Sequence, residues 1–98
     1  SMINIFGKEE GERLTKRNIN ILKEVAERIQ LIETGVDELV EARKVANKIE
    51  SQREKAIAYH DNIVPQMEKI RYQIDKLELI VSDEMWTLPK YRELLFIR

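Results

Sequence analysis

The stretch Asn47-Lys48-Ile49-Glu50-Ser51-Gln52-Arg53-Glu54 decides whether this chain is one rod or two arms. Ser51 to Glu54 spells a capping box. The Ser hydroxyl accepts from the amide three residues on, and the Glu carboxylate reaches back. Around it the apolar stripe lapses, because the expected sites hold Arg43, Glu50 and Arg53. A helix that loses its stripe and meets a start signal ends there, so the reading breaks it at about 47–51. The rival is a single helix over 8–83, which would be a long exposed rod.

Upstream, Leu22, Val25, Ile29, Ile32, Val36 and Leu39 alternate spacings of three and four, and Ala46 rejoins the series. This heptad seam is widened by Leu14, Ile21 and Val40. Downstream, Ile63, Met67, Ile70, Ile74, Leu77 and Val81 repeat it. The prediction is an all-α fold: a long antiparallel helical hairpin with a short C-terminal helix, bundling by self-association. Its helices cover about 8–47, 51–83 and 88–96, in a single module over 8–98. Residues 1–7 are a cleavage scar (Ser1-Met2) and a lead. Arms of about 35 residues span roughly 50 Å at the helical rise.

Pro65 is expected to kink the second arm without ending it, since the heptads run through it unslipped. Centring the turn near Ile49 pairs residues whose numbers add to about 98 or 99. Gly35 then faces Val64 and Pro65, His60 faces Leu39, and Leu77 lies beside Leu22. A residue without Cβ suits a close approach to a kinked arm. Gly35 and Pro65 are therefore packing candidates. Two helices hide one stripe each and the apolar residues exceed that, so a homodimer forming a four-helix bundle is expected.

After Val81 the chemistry changes. Thr87-Leu88-Pro89 can start a last helix, with Thr87 as cap and Pro89 in the first turn. Trp86, Tyr91, Leu94 and Phe96 are too apolar to be left exposed together. They are the remaining interface candidates, expected to fold back near Leu14.

Composition narrows the function classes. Of 98 residues, 43% are apolar and 36% charged, with 3 Gly and 2 Pro, which excludes a disordered chain and argues against an all-β one. A net charge of −1 offers no basic field for nucleic acid. With no Cys, disulfides, thiolate zinc sites and a cysteine nucleophile are excluded. The longest apolar run, 94–97, falls far short of the ~20 residues that span a bilayer, and no secretory pattern opens the chain. Neither nucleic acid nor membrane is an expected partner.

No catalytic, cofactor-binding or metal residues emerge. His60 is the only histidine, and its neighbour Asp61 points elsewhere on a helix, so it reads as a seam or boundary residue. Glu68, Asp75 and Glu78 alternate with Lys69, Arg71 and Lys76 as a solvated face. Gly7, Gly11 and Gly35 are scattered and form no phosphate loop. No cofactor is expected in this segment.

The segment 76–98, KLELIVSDEMWTLPKYRELLFIR, resembles the extreme C-terminus of type III glutamine synthetases, a large bacterial branch of that family. Leu77, Glu78, Leu79, Trp86, Leu88, Pro89, Tyr91, Leu94, Leu95 and Phe96 carry the match. Glu41 to Lys44, Ala46-Asn47, Lys55-Ala56, Tyr59 and Val64-Pro65 look like the family's penultimate helices. Thr87 departs from the family, which often has Pro there. The resemblance implies a cytoplasmic, oligomeric glutamate–ammonia ligase of nitrogen metabolism that uses ATP and magnesium, with its catalytic residues upstream of this segment. The implied partners are the catalytic domain and neighbouring subunits, and the implied role is structural or assembly. The alternative is an independent helical adaptor or coiled-coil protein–protein interaction module.

Overall fold

The computed structural model describes the backbone of residues 2–96 and the side chains of residues 7–87 and Pro89. It is helical almost throughout: α1 is Met2–Asn47, α2 is Gln52–Ala58 and α3 is Val64–Phe96, with a π-helical turn at Tyr59–Ile63 joining the last two. Among the described residues there is no strand.

Between α1 and α2 the chain turns. Lys48 and Ile49 donate their amides to the Val45 and Ala46 carbonyls at 3.2 and 3.1 Å, closing α1 in a tighter turn. The Ser51 hydroxyl then accepts from the Glu54 amide at 3.3 Å and starts α2. The Tyr59 hydroxyl donates to the Asn47 side-chain oxygen, tying the second arm to the end of the first.

Both arms are longer than the 35 residues expected. α1 has 46 residues, and the molecule measures 76 × 19 × 14 Å. The lead expected at 1–7 is helical from Met2, and no separate helix begins at 88. The Thr87 hydroxyl donates to the Asp83 carbonyl at 2.7 Å, so it is used inside a helix instead of capping a new one. α3 runs on through Pro89, and the expected turn back towards Leu14 does not occur. Trp86 is 77% exposed. The side chains of Tyr91, Leu94 and Phe96 lie outside the described residues.

At Pro65 the helical ladder widens. The amide of Val64 bonds to the Tyr59 carbonyl, five residues back. This wider turn sits immediately before Pro65, where a proline ring would crowd a regular ladder and cannot donate to it. Pro65 is then the exposed second residue of α3. Its missing donor falls in a first turn, where it does little harm. Pro65→Ala is therefore expected to change unfolding free energy in urea by less than ~1 kcal/mol, against ~3 kcal/mol for an interior proline. A gain near the larger value would show a strained ring.

The π turn also corrects two expectations. His60 does not face Leu39: its side chain is 85% exposed and meets Asp61 Oδ1 at 3.0 Å, the neighbour a regular helix would point away. The pairing of the arms is shifted as well. Arg17 bonds to Glu84, Arg28 to Gln73, and Gly35 to Gln66, numbers that add to 101 in each case. A π turn spends more residues per turn than an α-helix, so the second arm's numbers run ahead. The arms lie side by side in opposite directions. Gly35 is buried, and its nearest contact is Ile70, not Pro65.

Among the described residues, Ala46 and Ile63 are the buried hydrophobic side chains. Val25, Ile32, Leu39, Ile70 and Leu77 are half-buried between the arms. The other half of the expected seam is exposed: Leu22, Ile29, Val36, Met67, Ile74 and Val81. Leu22 therefore does not sit beside Leu77. The sequence series merged two adjacent stripes, and a two-helix contact covers one of them.

Candidate functional site

The pair of arms has two unlike faces. On one, Asn20, Glu24, Glu27 and Arg28 of α1 share a groove with Gln73. Arg28 donates to Gln73 Oε1 at 2.8 Å and to Glu24 Oε1 at 3.2 Å. Nearer the open end, Arg17 makes a two-pronged pair with Glu84: Nη2 to Oε1 at 2.7 Å and Nη1 to Oε2 at 3.2 Å. Gln66 donates to the Gly35 carbonyl and to Glu38 Oε2, both at 3.1 Å. These bonds fix the arms lengthwise.

Their energy is modest. The Arg17 and Glu84 side chains are 40% and 27% exposed, so water and salt screen the pair. Glu84→Gln is expected to cost less than ~1 kcal/mol, with the loss shrinking as salt is raised. Thermal melts at low and high sodium chloride check this.

The opposite face is apolar. Val36 and Leu39 of α1 line one groove with Met67, Ile70 and Ile74 of α3, edged by Glu68, Arg71, Asp75 and Glu78. Ile29 and Leu22 lie one and two heptads before Val36 on the same stripe of α1, and Val81 continues it on α3. Beyond them, Leu77, Val81, Met85, Trp86 and Pro89 line a second groove with little polar surface. Both grooves are open, and among the described residues no three His, Cys, Asp or Glu side chains converge as a metal site requires. A surface of this kind binds a complementary apolar surface.

Of the residues singled out in sequence, Gly35 lies buried between the arms and Pro65 is exposed beside the π turn. Trp86 rims the second apolar groove, about 32 Å along α3 from Pro65 at the helical rise, so the structure does not bring the three together. What the sequence reading missed is the division of apolar residues into a covered and an exposed stripe. The signal was present. Ile19, Leu22, Ala26, Ile29, Glu33, Val36 and Val40 form a complete series of fours and threes on their own.

No family model matches the chain, and no solved structure matches it. Among curated proteins it is 45% identical over 97 residues to a protein named glutamine synthetase from Bacteroides fragilis, an alignment covering 99% of this chain and 13% of that one. It is 35% identical over 77 residues to a type-3 glutamine synthetase from Dictyostelium discoideum, covering 79% of this chain and 10% of the relative. The chain thus spans about a tenth of the length of the relatives it matches. No helix among the described residues is long and apolar enough to cross a membrane.

Proposed function

We propose that this chain, similar to a region of type III glutamine synthetases, is the C-terminal structural and assembly module of such an enzyme. The observation that carries the reading is the apolar face. A two-arm unit whose described residues include two buried hydrophobic side chains and a long, mostly apolar exposed stripe is built to be covered. As a helical hairpin it would hold subunits in place while the ligase chemistry stays in the catalytic domain. Trp86 and Pro89, beyond the end of that stripe, are the surface we assign to the catalytic body, since they lie at the open end of the arms.

ATP and magnesium belong, on this reading, to the parent enzyme. Phosphate transfer needs a positioned metal and a cradle of amides or cations, and the open grooves here supply neither. The isolated chain is therefore expected neither to hydrolyse ATP nor to form glutamine. Turnover that co-purifies with it and disappears on mutating one of its residues would overturn this.

The assembly role is tested in the full-length enzyme that contains the segment. Deleting the segment should shift the sedimentation coefficient to a smaller particle. Ammonia-dependent glutamine formation should fall in parallel. An enzyme of unchanged size and activity after deletion would refute the role.

A further inference from the structure

We propose that the apolar face receives the same face of a second copy, related by a twofold axis crossing both arms at the level of Ile29 and Ile74. Three observations converge on this partner.

The first is area. A compact monomer of 11.6 kDa has an accessible surface of about 5,800 Å². This chain exposes 8636 Å². The excess, about 2,800 Å², is of the order that permanent assemblies bury. The stripe from Ile19 to Val40 alone runs about 32 Å at the helical rise. Across the 19 Å width of the molecule that is roughly 600 Å² on each copy, enough for a specific interface.

The second is symmetry in the stripe. On α1 the series is nearly the same in both directions about Ile29: Leu22 mirrors Val36, and Ile19 and Val40 lie ten residues before and eleven after it. On α3 it is so about Ile74, with Met67 mirroring Val81 and with Val64 and Met85 ten residues before and eleven after it. A face-to-face twofold axis lying across the arms stacks each helix antiparallel on its own copy. Apolar residues then meet apolar ones along both stripes, except at Glu33 of α1 and at Arg71 and Glu78 of α3. Such an axis requires the two centres to lie at one level. They do to within about 3 Å: Arg28 bonds to Gln73, and one residue further along each of the two opposed arms come Ile29 and Ile74.

The third is charge. Two ionic residues interrupt the α3 stripe: Arg71 lies three residues before Ile74 and Glu78 four after it, so they mirror each other to within one residue, about 1.5 Å along the helix. In the dimer each Arg71 faces Glu78 of the other copy, giving two reciprocal ion pairs and fixing the register. The opposite, polar face has no such series, with Glu24, Glu27 and Arg28 along its α1 edge.

This deepens the assembly reading by naming the partner surface, and rests on that reading only for its place in the parent enzyme. The chain has no cysteine, so introduced ones report cleanly. Sedimentation equilibrium should give a dimer, and Ile29→Cys and Ile74→Cys should each form a disulfide-linked dimer under mild oxidation. Glu27→Cys, on the other face, should not. Arg71→Glu should weaken the dimer by about tenfold or more through like charges, and Arg71→Glu with Glu78→Arg should restore it. Circular dichroism confirms that each variant stays helical; these side chains are exposed, so folding should survive. A helical monomer at every concentration overturns the proposal. So does cross-linking of Ile74→Cys only to Ile29→Cys, or a charge swap no better than Arg71→Glu alone. None of these results bears on the full-length deletion experiment, so the two readings fail separately.

Discussion

Gly35→Leu is expected to lower unfolding free energy by about 1–3 kcal/mol, the cost of overpacking a filled contact. Gly35 is buried, and a Cβ built on it would stand 2.9 Å from Ile70 Cγ1, closer than real Cβ atoms approach. Gln66 Nε2, 3.6 Å from the same point, is committed to the Gly35 carbonyl and cannot swing aside without losing that bond. Replacing glycine in a helix would otherwise gain roughly 1 kcal/mol. The sign therefore depends on the contact alone. Gly11, which has nothing within 4 Å of its virtual Cβ, is the internal control. Gly11→Leu should raise helicity and the melting temperature slightly, whereas Gly35→Leu should lower it by about 4–8 °C per kcal/mol. Equal melting temperatures for the two variants, at one protein concentration, would show that the arms do not meet at Gly35.

Ile63→Ala should be the costliest truncation in the chain, at about 2–5 kcal/mol. Ile63 is 5% exposed and is the last residue of the π turn, which packs against α1. A small residue there loses that burial and leaves a cavity in a fixed turn. Leu79→Ala, at a position 57% exposed, removes a similar volume and should cost well under ~1 kcal/mol. Urea titrations of both variants check the ranking. Equal losses would place the core elsewhere along the arms.

Local signals carried the broad architecture. The capping box at Ser51 and Glu54 works by a bond between residues three apart, so nothing distant can veto it. The heptad spacings declare helices for the same reason, since their period is local geometry. The tail shows the limit of such signals. Thr87 and Pro89 spell a helix start as well as a helix interior, and the Thr87 hydroxyl chose the Asp83 carbonyl. His60 was misplaced because its neighbours were read on a regular helix, and the π turn rotates it into solvent beside Asp61. The site was legible only in part. The residues of the exposed stripe were visible, but a list of apolar positions does not say which of two adjacent stripes a partner helix covers.

By itself the sequence determined an all-helical chain broken once near Asn47, carrying more apolar surface than two helices can hide. Those properties follow from hydrogen bonds and side-chain periods within a few residues of each other. The tertiary structure decided the offset of the arms, the exposure of Ile29 and Ile74, and the burial of Gly35 against Ile70. Each of these depends on how the π turn at Tyr59–Ile63 rotates and advances one arm against the other. A rotation of that kind changes every long-range contact while leaving each local pattern as it was.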